Sequence, residues 1–511
     1  MLTANVEVTT TQLSSEEETD EAKEPPRKKG KGKKHKIEKY FDVNDQVTCK
    51  FNIDKEVSDI EMAENDPFSF FSLFFDEDLL RFIHEQTLQY SGDFFSMEEL
   101  KATLGVIVGS GVVSQSRRRD YWSSCDLKRN LAISDSISQK KFESIFSHLH
   151  FVPVDALPSD DKFQKIRILL SKLNKLFLKN APKTNTFSID EAMVPYYGRH
   201  GCKQHIKGKP VRFGFKMWCI ATPGGYALQM QPYPGLAEKP TEGYDFGSSG
   251  NVIYFFAKLL RQKYSDSQLA ITMDNYFSSL ALFKALKEDL DVCCTGTIRK
   301  NRVPQNPIDY DSLKKSARGT SEAKTHESGV HVIAWHDNTV VTVASNCVSV
   351  DPVQTVKRYS RQEKKKIDVS CPYAVCHYNS SMGGVDRMDA NVSKWRISVR
   401  GKKWYYPIFL ELLDVALNNA WLLYRLDGQK MDFNTFKTHV AQKLLSFNTR
   451  GKKPYILSSA LVHRFDNIGH IVRYSNVERR CTQCQKKTKY ECLKCDKGLH
   501  PKDCFLTFHQ R

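Results

Sequence analysis

The stretch LAITMDNYF at residues 269–277 indicates the fold, because a short apolar run ends there on an acidic residue, Asp274. Consecutive apolar and β-branched residues of this length are typical of a buried strand. A second such run, at 187–189, ends on Asp190, and a third acid, Asp386, begins a helix-like segment after a Gly pair. This layout predicts three carboxylates that converge on metal ions at the end of a sheet, where phosphodiester bonds can be cut and joined.

Three aspartates are a sufficient ligand set for Mg²⁺, or for Mn²⁺, because these cations prefer oxygen ligands. Asp190 and Glu191 are neighbours on a predicted strand, so their side chains point to opposite faces. We expect Asp190 to face the metal site. Asp389 is three residues beyond Asp386 and shares its helix face, where it either assists or is solvated. Taken singly, each acid is more often a turn residue or a helix N-cap than a metal ligand.

Length and charge favour a nuclear protein that handles a polyanion. The chain has 511 residues and a net charge of +17, enough for a catalytic core with accessory domains and a nucleic-acid partner. The basic run at 25–36 is either a nuclear localisation signal or a non-specific DNA arm. There is no N-terminal hydrophobic signal, and the most apolar stretch, 104–113, is too short to span a membrane. We therefore expect a nuclear location and no membrane partner.

The hydrophobic period changes from helical to strand-like and back along the chain, which predicts an α/β fold with an RNase H-like sheet. The polar stretch from about 302 to 366 is too long for a loop in a compact domain, so we interpret it as an insertion. The predicted segments are a disordered acidic then basic tail (1–40), a first helical part (66–184), an RNase H-like core (185–300), an insertion subdomain (301–372), the last part of the core (373–390), a second helical part (391–475) and a Cys/His module (478–511).

Five of the 14 cysteines lie at or beyond Cys481, in paired spacing. Two short CxxC pairs followed by histidines predict tetrahedral Zn²⁺ coordination in a reducing compartment. A single zinc site and a crossed two-zinc arrangement both fit the spacing, although two sites need eight ligands and the motif supplies seven. Without further information, a RING- or PHD-like protein-binding module fits equally well. The candidate zinc ligands are Cys481, Cys484, Cys492, Cys495, His500, Cys504 and His509.

Two basic clusters near the acids are candidate DNA contacts, because cations neutralise phosphates and planar rings stack on exposed bases. The alternative is a solvated surface, with Trp395 and Trp404 buried beneath the second cluster. The candidate DNA-binding residues are Lys203, Lys207, Lys209, Arg212, Arg396, Arg400, Lys402 and Lys403.

Several blocks of sequence resemble the piggyBac transposase family. The first comprises SIDE at 188–191, YGR at 197–199 and KPVRFGFK at 209–216. The second is MDNYFSS at 273–279, followed by GTIRK at 296–300, and the third is MGGVDRMD at 382–389. The blocks occur in the family's order, and the resemblance runs from about residue 66 onward. Within this family, the chain most resembles the transposable element-derived branch, which contains domesticated members.

The resemblance implies an RNase H-like catalytic domain with an insertion, embedded in a split helical domain for dimerisation and DNA binding. It implies that Asp190, Asp274 and Asp386 are the catalytic, metal-binding triad. It further implies cut-and-paste transposition through hairpin intermediates, with insertion at TTAA. A homodimer would bind transposon-end-like repeats, which the C-terminal Cys-rich module would grip.

Three functions are compatible with the sequence. The first is an active DNA transposase, and the second is a domesticated, sequence-specific DNA-binding nuclear protein without transposition activity. The third is a zinc-module interaction protein with a degenerate core. The presence of all three acids favours the first over the third but does not separate the first from the second.

Overall fold

The protein forms two compact units, each assembled from three stretches of the chain. The computed structural model describes residues 38–43, 51, 53–60, 62, 64–155, 160–234, 245–448 and 469–510. The first unit comprises Met1–Asp59, Ala181–Met193 and Lys216–Asp389, and the second comprises Ile60–Asn180, Val194–Phe215 and Ala390–Arg511. The basic run at 25–36 lies outside the described residues, as does most of the predicted tail.

Most strands belong to one mixed sheet of ten. Its strands are β1 (Tyr40–Asp42), β2 (Thr186–Pro195), β3 (Lys203–His205), β4 (Phe213–Ala221), β5 (Ala227–Pro232), β6 (Leu269–Met273), β7 (Val292–Thr297), β8 (Ser321–His326), β9 (His331–His336) and β10 (Val340–Ser345). They lie in the order β1-β8-β9-β10-β7-β6-β2-β4-β3, with β5 paired to β4. The strands β2, β6 and β7 run parallel, and the pairs from β7 out to β1 are antiparallel.

The remaining strands form two small sheets, and the helices are distributed over both units. The strands are β11 (Gln354–Ser360) with β12 (Lys365–Cys371), and β13 (Val472–Arg480) with β14 (Lys487–Cys492) and β15 (Lys497–Gly498). The helices are α1 (Pro67–Ser72), α2 (Glu77–Ser91), α3 (Met97–Val112), α4 (Leu131–Ser136), α5 (Gln139–His148), α6 (Gln164–Lys179), α7 (Gly247–Lys263), α8 (Leu280–Leu290), α9 (Tyr310–Lys315), α10 (Tyr373–Ser381), α11 (Gly384–Lys394), α12 (Tyr406–Leu426), α13 (Phe433–Ser446) and α14 (Asp503–His509).

The strand β6 is buried along its whole length, as expected for a strand in a parallel sheet whose two faces are both covered. The helix α8 follows it closely, because the Ser279 side chain caps its N-terminus by accepting a hydrogen bond from the Leu282 amide at 3.3 Å. Strand, cap and helix therefore follow directly from the local sequence. The predicted mixed α/β fold is confirmed.

The stretch predicted as an insertion extends the large sheet. The strand β10 pairs with β7, with Val343 opposite Thr297, and β8 and β9 continue the sheet outward from there. The strand β1 pairs with β8 at the far edge, with Tyr40 opposite His326. Residues 38–43, at the junction with the predicted tail, are thus fixed to the edge of this stretch.

The second unit contains a buried ion pair. The Lys437 ammonium on α13 lies 2.6 Å from an Asp414 carboxylate oxygen on α12, and both side chains are almost fully buried. Lys437 also donates to the Trp395 carbonyl at 2.6 Å, while Asp414 accepts from the Ile397 amide at 2.9 Å. A buried ion pair is tolerated only when further hydrogen bonds complete it, and here they fix the 395–397 segment.

Lys437→Met should destabilise the protein by about 3–5 kcal/mol, because the Asp414 carboxylate would remain buried without its cation. The measurement is the shift of the denaturant unfolding midpoint of the full chain. Lys443→Met, at an exposed position on the same helix, is the matched control and should change stability by less than about 0.5 kcal/mol. Equal effects of the two substitutions would contradict the role assigned to the pair.

Candidate catalytic site and Cys/His module

Two of the three predicted acids lie at the same edge of the sheet. The strands β2 and β6 are parallel neighbours, with Ile189 opposite Met273, so Asp190 and Asp274 come next on adjacent strands. Asp190 is buried and Asp274 is partly buried. The carboxyl ends of parallel strands are where open α/β sheets place their functional groups.

A close contact at Gly384 fixes the helix that carries the third acid, Asp386, to β2. The Gly384 amide, at the start of α11, donates a hydrogen bond to Ser188 Oγ on β2 at 3.1 Å. A Cβ atom at Gly384 would lie 2.2 Å from the Thr222 carbonyl oxygen, so only glycine allows this approach. Asp386 is in the first turn of the helix that begins there and is exposed.

Tyr378 on α10 is a buried tyrosine on which the three acids act electrostatically. Burial raises the pKa of this tyrosine well above its usual value, although a hydrogen bond with the Thr297 side chain opposes the rise. The charges of Asp274, Asp190 and Asp386 raise the pKa further. Because the effect of a charge weakens with distance, these contributions agree with all three acids lying in the region of this tyrosine.

Backbone donors orient two of the carboxylates. The Glu191 amide donates to Asp190 Oδ1 at 2.8 Å, and the Tyr276 amide donates to Asp274 Oδ1 at 2.7 Å. The loop after Asp274 is fixed by Arg302, whose guanidinium donates to the carbonyls of Asn275, Tyr276 and Ser278 at 2.9–3.2 Å. These contacts position the side chains before any ligand binds.

Glu191 follows Asp190 on β2, where successive side chains alternate between the two faces of a strand. Its carboxylate lies 3.9 Å from the Lys216 ammonium, which also lies over the Tyr276 ring at 4.1 Å from the centroid. Burial, Glu191 and Asp274 raise the pKa of Tyr276, while Arg302 opposes them. The sequence pattern did not identify Lys216, Tyr276, Arg302 or Tyr378, because none of them forms part of a recognisable ligand spacing.

The Cys/His module contains two ligand clusters. In each cluster, four potential ligand atoms lie within 4.8 Å of one another. The ligands are interleaved along the chain, so each cluster takes one CxxC pair and two residues from elsewhere. The clusters are Cys481, Cys484, His500 and Cys504, and His470, Cys492, Cys495 and His509.

His470 is an eighth candidate ligand, which the sequence motif lacked. Its Nδ1 lies 3.4 Å from Cys495 Sγ and 3.5 Å from Cys492 Sγ. Ligand atoms at the corners of a tetrahedron around one zinc ion are separated by about 3.6 Å. The distances from His470 Nδ1 to the two cysteine sulfurs therefore match tetrahedral coordination.

The ring nitrogens that face away from the clusters also have partners. His500 uses Nδ1 toward Cys484 Sγ, and its Nε2 lies 3.2 Å from the Lys487 carbonyl oxygen. His509 uses Nε2 toward Cys495 Sγ, and its Nδ1 lies 2.8 Å from the Phe505 carbonyl oxygen. Such second contacts set the tautomer of metal-binding histidines.

The predicted DNA-binding residues differ in their surroundings. Lys207, Arg212, Arg400 and Lys402 are exposed, and Lys203 and Lys209 are partly exposed. Lys203 also donates to the Gly198 carbonyl at 2.9 Å. Arg396 and Lys403 contact the protein as follows.

Arg396 forms an ion pair with the buried carboxylate of Glu411. Lys403 donates to the Leu149 carbonyl at 3.3 Å and lies over the Tyr90 ring. Burial, followed by the charge of Lys165, lowers the pKa of Lys403 to about 8. Arg396 and Lys403 therefore have structural contacts, and a DNA contact by any of the eight residues stays a prediction.

Comparisons with known proteins identify relatives of this chain. A family model described as transposase IS4 matches residues 66–421. Human PiggyBac transposable element-derived protein 3 is 38% identical over 454 residues, which cover 87% of this chain and 76% of that protein. Human PiggyBac transposable element-derived protein 2 is 34% identical over 472 residues, covering 90% and 78%.

A solved structure shares the fold. The cryo-EM structure of the piggyBac transposase synaptic complex with hairpin DNA matches with a TM-score of 0.65 at 22% identity, covering 87% of this chain and 97% of that chain. The chain belongs to the piggyBac transposase family. Among the described residues, no helix is long and apolar enough to cross a membrane.

Gly384→Ala should destabilise the first unit by about 1–3 kcal/mol, because the new methyl group would collide with the Thr222 carbonyl and displace the start of α11. Thermal unfolding of the full chain measures this effect. Gly201→Ala is the control, since a Cβ there meets nothing within 4 Å. A Gly384→Ala chain as stable as Gly201→Ala would show that the close approach is not required.

Proposed function

We propose that this chain is a piggyBac-like transposase that cleaves and joins DNA strands with Mg²⁺ or Mn²⁺ held by Asp190, Asp274 and Asp386. The observation that carries the proposal is the parallel register of β2 and β6, which makes Asp190 and Asp274 neighbours at one edge of the sheet, together with the hydrogen bond that fixes the start of the Asp386 helix to β2. Three carboxylates gathered in one place repel one another unless a cation binds among them. A role as turn residue or helix cap would explain each acid by itself. It would not explain why the three acids lie in the same region of the fold.

The donor set fits a hard divalent cation, because every candidate ligand is a carboxylate oxygen. When bound, such cations activate the attacking water and stabilise the leaving 3′ oxygen in phosphodiester cleavage. The chain's own residues orient the ligands. The Glu191 and Tyr276 amides hold Asp190 and Asp274 at one oxygen each, and Lys216 balances the charge of Glu191.

The DNA substrate we propose carries transposon-end-like repeats, with joining at TTAA. Two features support a DNA partner: membership of the family, and a structural relative described as a synaptic complex with hairpin DNA. We propose that the exposed cations Lys207, Arg212, Arg400 and Lys402 contact phosphates. We further propose a homodimer located in the nucleus, in keeping with the +17 net charge and the family's chemistry.

We propose that each Cys/His cluster binds one Zn²⁺ ion. Thiolate and imidazole ligands in groups of four fit structural zinc sites, which keep no open position for chemistry. Backbone hydrogen bonds from Cys484 and His500 lower the pKa of Cys481 to about 6 although burial opposes this, which favours the thiolate that zinc requires. The module would then fold with its metal and grip DNA.

A domesticated, DNA-binding protein without transposition activity is the second candidate. The observation that favours it is that two relatives, at 38% and 34% identity, are described as transposable element-derived. Both candidates share the fold and the DNA partner, and they differ only in whether the acids still support strand cleavage. An experiment that separates binding from cleavage therefore decides between them.

Asp274→Asn should abolish metal-dependent cleavage of a DNA carrying the element's own ends while leaving DNA binding intact. The amide keeps the side-chain shape but not the charge that holds the cation. Cleavage and hairpin products on a denaturing gel, with Mg²⁺ and then Mn²⁺, measure the first effect, and a mobility shift measures the second. Asp266→Asn, at an exposed position away from the site, is the control and should cleave normally.

Equal cleavage by Asp274→Asn and the native chain would contradict the assignment of the triad. Binding of the ends by the native chain without any cleavage, in either metal, would instead support the domesticated candidate. The two outcomes differ in the behaviour of the native chain, so neither can be mistaken for the other.

His470→Ala should reduce the tightly bound zinc from about two ions to about one per chain, because its cluster would keep only three ligands. Metal analysis after dialysis against a weak chelator measures this directly and needs no activity assay. His439→Ala, an exposed histidine on α13, is the control and should keep the full zinc content. An unchanged zinc content in His470→Ala would remove His470 from the ligand set.

A further inference from the structure

A buried lysine, Lys216, contacts the segments that carry two of the three acids. It is in β4, and only 8% of the residue is exposed. Its ammonium lies 3.9 Å from the Glu191 carboxylate and 4.1 Å from the centroid of the Tyr276 ring. Glu191 directly follows Asp190 on β2, and Tyr276 is two residues beyond Asp274. Lys216 therefore joins close neighbours of both acids.

The Lys216 side chain reaches these two contacts across β2. In the large sheet, β2 lies between β6 and β4, so Tyr276, which follows β6, and Lys216 come from opposite sides of β2. Glu191 is on the strand that the lysine crosses. The Lys216 carbonyl accepts a hydrogen bond from the Tyr233 amide at 2.9 Å, which fixes the backbone of the lysine. The lysine is thus held at its base, while its ammonium links two other parts of the sheet.

Both contact residues also donate hydrogen bonds to the acids. The Glu191 amide holds Asp190 Oδ1 at 2.8 Å, and the Tyr276 amide holds Asp274 Oδ1 at 2.7 Å. A shift of either residue would therefore turn the carboxylate that its amide holds. Because Lys216 contacts the side chains of both residues, it links the two amide donors to each other.

The low exposure of the charged side chains strengthens this link. The side chain of Lys216 is 9% exposed and that of Glu191 is 15% exposed, so little water screens their attraction. At 3.9 Å the attraction is electrostatic and not a direct hydrogen bond, and the Tyr276 ring adds a cation–π contact. Lys216 has little surface left for a phosphate, unlike the exposed cations Lys207 and Arg212.

We propose that Lys216 is a positioning residue of the metal site, which fixes the spacing of Asp190 and Asp274 by holding the Glu191 side chain and the Tyr276 ring together. It acts through the two amides and contacts neither the cation nor the DNA. The proposal rests on the proposed function, because the spacing matters only if the acids bind a divalent cation. Groups that orient metal ligands raise affinity, because a ligand already in place need not be ordered when the metal binds.

The charge of Lys216, taken alone, would act against the binding of a cation. An ammonium near a cation site repels the cation, so its removal should strengthen binding if Lys216 only balances the charge of Glu191. If Lys216 positions the acids, its removal should weaken binding. The sign of the change in metal affinity therefore distinguishes the two roles.

The test measures Mn²⁺ binding to the full chain purified with zinc, by the loss of the electron paramagnetic resonance signal of free Mn²⁺. Mn²⁺ binds more weakly than Zn²⁺ and does not displace it from thiolate ligands. Binding at the acids is the part that Asp274→Asn abolishes. We expect Lys216→Met, which keeps the length of the side chain without its charge, to weaken that binding at least about tenfold. Lys216→Arg, which keeps the charge and can lie over the ring, should restore most of the affinity.

Two further variants separate positioning from stability. Lys216→Met combined with Glu191→Gln removes both charges, so this chain should recover the unfolding midpoint that Lys216→Met loses, but not the Mn²⁺ affinity. It also gives the comparison where Lys216→Met alone does not fold. Lys263→Met is the matched control, because Lys263 also lies over a tyrosine ring, that of Tyr264, at 5.4 Å. Its helix, α7, precedes the start of β6, whereas Asp274 follows the end of this strand, so Mn²⁺ affinity should be unchanged.

Unchanged or tighter Mn²⁺ binding by Lys216→Met, with the native chain binding Mn²⁺ at the acids, would overturn the role of Lys216 and leave the proposed function standing. Recovery of the affinity in the double variant would also overturn it, because the loss would then come from the unbalanced charge of Glu191. A native chain that binds no more Mn²⁺ than Asp274→Asn would overturn the proposed function, and the role of Lys216 with it. The native chain's own binding therefore tells the two failures apart.

Discussion

The parallel pairing of β2 with β6 is the constraint on which the candidate site depends. Side chains alternate between the two faces of a strand, so a register slip of one residue would exchange the positions of Asp190 and Glu191. The observed register places Ile189 opposite Met273, and both strands are buried. Burial on both faces makes any slip costly, because it would expose apolar side chains and bury charged ones. The packing of the sheet and the placement of the acids therefore have the same cause.

The Cys/His module depends on a different constraint, since it has few apolar side chains to bury. Its core consists of Leu499 and Phe508 beside the cysteines themselves. The two ligand clusters take the place of a larger core, and their interleaving means that neither can form while the other segment is displaced. If each cluster binds zinc as proposed, the free energy of metal binding contributes directly to the free energy of folding of the module.

The sequence predicts those features that come from local pattern, and it misses those that come from tertiary pairing. Apolar runs that end on acids identify Asp190 and Asp274, and CxxC spacing identifies the cysteine ligands. His470 has no local pattern around it. It reaches its cluster because Val472 pairs with Cys492 on the neighbouring strand, a contact that spacing does not encode. The polar stretch at about 302–366 indicates an insertion but not that its strands would extend the large sheet.

The difference between local pattern and tertiary pairing also explains why the basic residues could not all be assigned from the sequence. Arg396 lies in a run of cations and aromatic residues, and composition alone favours a phosphate contact for it. Its carboxylate partner, Glu411, is on the following helix and is almost fully buried. A sequence shows that a cation is present but not whether the fold has already neutralised it. Arg400 and Lys402, which have similar sequence surroundings, remain exposed.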